Sequence, residues 1–282
     1  MYFSELSLQR GSDYIVNEKL SFKHPTLGEI CDFMSENKVD YYSILSRLIS
    51  NSLDYADILW VENKIWYEDI KSEWIFFLQT AICMAKKENL SFSQGKDEKS
   101  IEVYFLDDEL TALLNFFLKK DGRWWFSEKK ENNTVQNFLV NLPKNNKSEQ
   151  EFFKFTEIYY NYLIEYLKEI HWVSIEYTFT RGNSRKTKQW ILENNYEARK
   201  DREKKNKKEQ VTIASINSSI VASGVSVSTW EMSLYFFNEI YNRLMKINEY
   251  KNTMSALYAG AIDTKKHPID WEKINWTSVL KK

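Results

Sequence analysis

The sequence predicts a predominantly helical α+β fold with a small central antiparallel sheet or hairpin, on three observations. Gly and Pro are scarce, at 7 and 3 of 282 residues, or about 3.5% together against roughly 12% in an average protein. Apolar residues recur at three- and four-residue spacing in the parts 1–90 and 148–282, which is typical of helices. The part 100–145 contains aromatic-rich runs around turn residues, which is typical of strands. We therefore predict one domain over residues 1–282.

The N-terminal part begins with weak alternation of apolar residues over 12–23, which predicts one or two edge strands. Pro25 ends this run, because the residue before a proline avoids the helical conformation. Thr26-Leu27-Gly28-Glu29 then has the spacing of a capping box, which predicts a helix start. Apolar spacing predicts two more helices, one from about Asp40 and one over about Asp69 to Lys86.

The central part is predicted to hold a strand at 101–105 and a hairpin over 113–127. Lys120-Asp121-Gly122 would form the turn, since an Asp-Gly pair between aromatic-rich runs is a strong hairpin signal. Trp124 and Trp125 follow on the second strand of this hairpin, and neighbours on a strand face opposite sides. We therefore expect one indole on the outer face, against another element or a partner.

The C-terminal part is predicted to contain three further helices. Residues 148–151 have capping-box spacing, and a strong helical pattern follows over 151–170. Small and branched residues over 211–223 predict a second helix. A third is predicted to open with the capping box 228–231 and to run to Gly260.

Between these helices, the segment 185–208 carries ten basic and four acidic residues and little apolar content. It is predicted to be a solvated helix or a mobile arm. Lys204, Lys205, Lys207 and Lys208 form its most basic stretch. Basic residues interleaved with aromatic ones can bind single-stranded nucleic acid, but here the segment has few aromatic residues. A solvated charged stretch is therefore favoured over a nucleic-acid site.

Composition and spacing exclude several classes of enzyme. The glycines lie at least 17 residues apart, so phosphate-binding loops and the hydrolase nucleophile elbow are excluded. The three histidines stand alone, and Cys31 and Cys83 are too far apart for a local metal motif. We therefore expect no catalytic, cofactor or metal site. The net charge of −1 does not indicate a nucleic-acid or membrane partner.

Two smaller features have structural explanations. Asp107-Asp108-Glu109 is the one compact acidic cluster, and helix N-terminal charges are favoured over a cation site for it. Cys83 is expected on a helix beside apolar residues without a neighbouring base, so a nucleophilic role is not expected. Two isolated thiols, with an N-terminus unlike a signal peptide, indicate a cytosolic protein.

Two stretches of the sequence carry a resemblance to a known family. The first is His24-Pro25-Thr26-Leu27-Gly28-Glu29-Ile30-Cys31-Asp32-Phe33. The second runs from Thr229-Trp230-Glu231-Met232 through Ala256-Leu257-Tyr258-Ala259-Gly260 to Asp270-Trp271 and Ile274-Asn275-Trp276. They resemble tail-gene-cluster proteins of tailed phages of Firmicutes, in order along most of the chain. The turn at 256–260 is less glycine-rich than in that family, and 199–208 is more charged.

The resemblance implies a non-enzymatic tail assembly chaperone that acts in the host cytoplasm and binds the tape-measure protein or other tail proteins. Two alternatives stay open: a structural virion protein of the tail completion or baseplate type, and a phage accessory protein that binds nucleic acid or interacts with host defence. Aromatic residues beyond the needs of a core would serve as anchors for a partner. The residues expected to contact a partner are Trp124, Trp125, Lys204, Lys205, Lys207, Lys208, Trp271 and Trp276.

Overall fold

The computed structural model describes residues 3–94, 97–127, 129–131, 134–136, 138–142, 152–173, 184–205, 213–224, 228–262 and 268–275. Helices form most of these residues, together with one five-stranded and two two-stranded antiparallel sheets. The predicted fold class, predominantly helical α+β with a small antiparallel sheet, is therefore confirmed. No helix in the described ranges is both long and apolar enough to cross a lipid bilayer.

The α-helices are α1 (Glu5–Gln9), α2 (Leu27–Asn37), α3 (Tyr41–Ile49), α4 (Ala56–Asn63), α5 (Glu73–Ile82), α6 (Asp108–Leu118), α7 (Glu157–Ile170), α8 (Arg185–Lys205), α9 (Ile213–Ala222), α10 (Leu234–Tyr258) and α11 (Trp271–Ile274). The strands are β1 (Tyr14–Asn17), β2 (Leu20–Phe22), β3 (Lys86–Gln94), β4 (Asp97–Phe105), β5 (Arg123–Phe126), β6 (Lys129–Glu131), β7 (Thr134–Gln136), β8 (Leu139–Leu142) and β9 (Phe153–Phe155). Two 3-10 turns lie at Tyr67–Asp69 and Thr229–Glu231.

The five-stranded sheet has the order β3-β4-β5-β8-β9, and each neighbouring pair is antiparallel. β3 and β4 pair over nine residues on each strand, whereas β5 pairs with β4 only through Phe126 and Trp125. The outer part of the β3–β4 hairpin therefore extends past β5. β1 and β2 form a separate antiparallel pair within residues 12–23, where one or two edge strands were predicted.

Side-chain caps explain where three helices begin. Thr26 and Glu29 form the predicted capping box of α2, through backbone hydrogen bonds of 3.2 and 2.9 Å. The Asp40 carboxylate accepts the Ser43 amide at 3.2 Å and starts α3, as predicted. The Asp107 carboxylate accepts the Leu110 amide at 3.1 Å and starts α6. The acidic cluster 107–109 therefore lies at a helix N-terminus, as its preferred explanation predicted.

Residues 25–27 pair with residues 232–234 in an antiparallel contact that we call the cap junction. Thr26 and Ser233 form a β-bridge, and two backbone hydrogen bonds of 3.1 and 3.0 Å flank it. Thr26 is the N-cap of α2 and Ser233 is the N-cap of α10, so the two helices start side by side. Both stretches that carry the family resemblance meet at this junction.

Aromatic side chains fill much of the main core. The largest fully buried ones are Trp124, Tyr41, Tyr160, Tyr166, Phe22, Phe77, Phe105, Phe117, Phe126, Phe155 and Phe237. The Tyr160 hydroxyl donates to the Leu48 carbonyl at 3.1 Å, and its ring stacks on Phe77 with centroids 5.0 Å apart. Buried tyrosines are stable when the hydroxyl has such a partner. Many of the numerous aromatic residues are therefore core residues.

The predicted hairpin over 113–127 is wrong. Its first half is the end of α6, whose Leu110, Leu113, Leu114 and Phe117 are buried at helical spacing. The Asp107 cap lies upstream and sets the helical conformation before the aromatic run begins. Gly122, with φ of 146°, joins this helix to β5 instead of joining two strands.

Three predicted helix bounds are also wrong. The helix predicted over 69–86 is shorter, because Ser72 caps α5 and the chain becomes β3 from Lys86. The start predicted for 151–170 is occupied by β9, and the helical pattern begins only at Glu157. The last helix begins at Leu234, since the cap junction holds the preceding residues extended. The capping box predicted at 228–231 is a 3-10 turn without a side-chain cap.

Two histidines are neutral groups beside the main core, of which His24 is buried and His171 is half-buried. The His171 Nδ1 donates to the Leu167 carbonyl at 2.7 Å, so Nε2 accepts the Tyr41 hydroxyl at 2.8 Å. Both ring nitrogens of His24 are buried without a hydrogen-bond partner among the described residues. Burial lowers the pKa of His24 to about 4, against an opposing effect of Asp13, and burial likewise lowers the pKa of His171 to about 4.

A single added methyl group tests the packing beside the cap junction. A Cβ on Gly28 would lie 3.0 Å from the Trp230 carbonyl oxygen. Ala is favoured over Gly in helices by about 1 kcal/mol. A Gly28→Ala variant that is less stable than the wild type would therefore show that the steric contact outweighs this preference. We expect Gly28→Ala to lower the free energy of unfolding by about 1–3 kcal/mol in urea titrations. Ser35→Ala, on the exposed face of α2, serves as the control. A more stable Gly28→Ala variant would contradict this packing.

The two histidines predict a loss of stability in mild acid. Their folded-state pKa lies below the unfolded value of 6.5, so the unfolded chain takes up protons first. The stabilisation is present above pH 6.5 and is lost as the pH falls toward 4. Between pH 7 and pH 4.5 we expect a loss of about 2–3 kcal/mol per histidine. In urea unfolding at both pH values, His24→Phe should lose less stability between pH 7 and pH 4.5, because one of the two histidines no longer contributes. An unchanged pH dependence would show that His24 is not a source of this loss.

Candidate protein-binding site

The two tryptophans of β5 lie on opposite faces of the sheet, as the strand geometry predicted. Trp124 is fully buried, and its Nε1 donates to the Asn115 carboxamide oxygen at 2.8 Å. It is a core residue, so its prediction as a partner-binding residue is wrong. Trp125 lies on the other face and is half-buried. Its Nε1 is buried without a hydrogen-bond partner among the described residues.

The predicted basic stretch lies at the end of α8. Lys204 and Lys205 belong to the last turn of this helix. Lys207 and Lys208 lie outside the described residues, as does Trp276. Trp271 is the first residue of α11 and is 49% exposed. α11 packs against α10, and its buried Ile274 faces inward.

α8 is neither a mobile arm nor a fully solvated helix, because one of its faces packs against α4. Leu192 is fully buried in a cluster with Ala56, Trp66 and Tyr67. Leu53, Leu59, Trp60 and Ile191 are partly buried around this cluster. We call the surface formed by α4 and residues 66–69 the helix groove. The thin apolar content of α8 concealed this contact in the sequence.

Charged side chains join α8 to the helix groove. Arg199 makes two hydrogen bonds of 2.8 Å to the Asp57 carboxylate, which is 4% exposed, and a third to the Asp54 carbonyl. Such a two-pronged contact is among the stronger polar interactions in proteins. The Tyr196 hydroxyl donates to Glu62 at 2.6 Å. The basic residues nearest the groove are therefore used within the fold.

The other end of the interface centres on Glu68. Its carboxylate accepts hydrogen bonds from Lys188 at 2.8 Å and from Trp66 and Tyr67 at 2.9 Å. These hydrogen bonds, that of Lys188 foremost, lower the pKa of Glu68 to about 2. The Arg185 guanidinium lies 5.0 Å from the centre of the Trp66 ring, which adds a cation–π contact.

The long helix α10 changes its environment along its length. Leu234 and Phe237 are fully buried near the cap junction. Further along the helix, Ile247, Met254 and Leu257 are only half-buried. We call the residues 241–258 of this helix the distal stripe. The helix ends at Tyr258, close to the predicted end at Gly260, which has φ of 68° and donates its amide to the Leu257 carbonyl.

The described residues offer little local chemistry for catalysis. Within these ranges, no three His, Cys, Asp or Glu side chains come together as a metal site. Two open cavities of about 230 and 130 Å³ share Ser50, and neither described lining includes a His or Cys.

No protein-family model, curated protein or solved structure matches the chain.

Charge removal tests the contact between α8 and the groove. Arg199→Gln leaves the buried Asp57 carboxylate without its partner, so we expect the free energy of unfolding in urea to fall by about 1–3 kcal/mol. The expected loss is no larger because the Arg199 side chain is 37% exposed, so water screens part of its interaction with Asp57. Asp57→Asn in the Arg199→Gln background should recover part of the loss. Lys186→Gln, at an exposed position of α8, is the control, and a double variant as unstable as Arg199→Gln would argue against the pair.

Proposed function

We propose that the chain is a non-enzymatic binding protein, a tail assembly chaperone of a tailed phage that binds the tape-measure protein in the host cytoplasm. The family resemblance of residues 24–33 and 229–276 supports the tail-gene-cluster part of this proposal. Its two best-defined stretches meet at the cap junction, so the resembling residues share one structural role. The same resemblance implies that the partner is the tape-measure protein.

The distal stripe carries the binding part of the proposal. Residues 241–258 span about 27 Å of helix at 1.5 Å per residue. Along this length, Ile247, Met254 and Leu257 are half-buried, and Met245 and Tyr258 are exposed. A tape measure is a long helical chain whose apolar stripes are exposed before the tail tube closes around it. An amphipathic helix can lay such a stripe against an apolar face of another protein.

The alternatives differ in where the protein is found and in what it binds. A structural tail protein would remain in purified particles, whereas a chaperone would leave them. A nucleic-acid-binding protein would need free basic residues, but Arg199 and Lys188 contact acidic groups of the helix groove. The side chains of Lys204, Lys205, Lys207 and Lys208, on which the nucleic-acid alternative depends, lie outside the described residues.

Co-expression with the tape-measure protein of the same genome tests the proposal. The wild-type chain should co-purify with that protein and increase its soluble fraction. Met254→Glu with Leu257→Glu places two charges on the distal stripe, so we expect co-purification to fall at least tenfold, since each charge would have to lose its water at the contact.

The matched control adds the same two charges to the exposed face of the same turns. Asn252→Glu with Ser255→Glu should co-purify as the wild type does, because both positions are exposed. Thermal unfolding by circular dichroism should show that both double variants stay folded. If the Met254→Glu, Leu257→Glu variant is unfolded, Leu257→Ala is tested in its place. Wild-type protein that neither binds nor solubilises the tape-measure protein would reject the proposed function.

A further inference from the structure

α8 rests on a part of the molecule that is separate from the main core. The apolar cluster of the helix groove has no residue in common with the main core cluster. Among the described elements, α4 is the helix with which α8 makes its principal contact. Units with few buried apolar contacts open more readily than the core of a protein. Loss of the contact between α8 and the groove would therefore remove no residue from the main core cluster.

The contact residues of α8 form a regular pattern along one helix face. Lys188, Leu192, Tyr196 and Arg199 are spaced by four, four and three residues, so they line one side of the helix. Leu192 is fully buried, and Tyr196 is 8% exposed. The opposite face of α8 is exposed and polar, with Trp190 as its one exposed large apolar residue among those described.

The helix groove is complementary to this face in charge and in shape. Glu68, Glu62 and Asp57 lie in the groove and bind Lys188, Tyr196 and Arg199 in that order. Trp66 and Tyr67 lie beside Glu68, with ring centroids 5.1 Å apart. Buried tryptophan and tyrosine are typical anchors of protein interfaces. The groove thus has three carboxylates along its length and an aromatic pair at the Glu68 end.

The ends of this interface are only partly shielded from water. The side chain of Glu68 is 50% exposed and that of Arg199 is 37% exposed. The Lys188–Glu68 pair contributes little net stability, because water and salt screen an ion pair at such a position. The Asp57 side chain is only 6% exposed, so the Arg199–Asp57 pair is the stronger of the two charged contacts.

We propose that the helix groove is a helix-binding site, that α8 occupies it within the same chain, and that a partner protein displaces α8 with a helix of the same chemistry. The partner helix presents Lys, Leu, Tyr and Arg, or residues of like character, at relative positions 0, +4, +8 and +11. This site is distinct from the distal stripe, and the proposal does not depend on a tail protein as partner.

A peptide of this chain is the probe for the site. Fluorescein-labelled peptide 185–201 is titrated with the full chain, and fluorescence anisotropy reports the dissociation constant. Leu192→Ser with Arg199→Gln in the protein weakens the internal helix and leaves the groove unchanged. We expect this variant to bind the peptide at least tenfold more tightly than the wild type, because the internal competitor is weakened.

Three controls identify the groove as the binding site. Adding Asp57→Asn to the protein variant, or Arg199→Gln to the peptide, should weaken binding at least tenfold. Lys186→Gln with Glu197→Gln, at exposed positions of α8, should bind the peptide as the wild type does. Equal affinity of the wild type and the Leu192→Ser, Arg199→Gln variant, or no effect of Asp57→Asn, would overturn the proposal.

Hydrogen exchange of the unaltered chain provides a test that needs no variant. If α8 opens separately from the core, its backbone amides should exchange at least 100-fold faster than those of α7. α7 is the reference because six of its residues are buried. Equal protection of α8 and α7 would mean that α8 opens only when the whole protein unfolds, and the displacement model would then fail.

Discussion

The cap junction brings together segments that lie more than 200 residues apart in the sequence. Each strand-like segment ends in a helix cap, so one short antiparallel contact sets both the position and the direction of α2 and α10. The Ser233 hydroxyl also lies 3.1 Å from the carbonyls of Leu8 and Gln9, which ties α1 to the same point. Glu239, six residues after Ser233 on α10, is bound by Gln9 and Arg243. Three helix ends therefore meet at this junction, α2 and α10 through backbone hydrogen bonds and α1 through the Ser233 hydroxyl.

The surfaces proposed for binding lie away from this junction. α10 is buried where it leaves Ser233 and becomes half-exposed only in the distal stripe. α8 packs on a small cluster of its own, with charged groups at both ends of the contact. Both proposed surfaces therefore lie where the described helices have fewer residues buried in the main core cluster.

Of the predicted capping boxes, the one at residues 26–29 is confirmed, the one at 228–231 is wrong, and the one at 148–151 lies outside the described residues. Thr26 with Glu29, and Asp40, begin helices where their sequence spacing indicates, since each cap acts on an amide three residues away. Whether an aromatic residue lies in the core or on the surface was harder to predict. Trp124 and Trp125 are adjacent in sequence, yet only the sheet shows that the first enters the core. The hairpin at 113–127 failed for a related reason, because an Asp-Gly pair signals a turn but not the elements on either side.

The sequence by itself determined the fold class, the cap of α2, the end of α10 near Gly260 and the alternation of the two tryptophans on β5. All of these depend on residues within a few positions of one another. Only the tertiary structure decided that α10 begins at Leu234, that α8 has a docked face and that Asp57 is the partner of Arg199. Those features depend on contacts between residues far apart in the chain. Spacing along one segment contains no information about which distant surface will cover it.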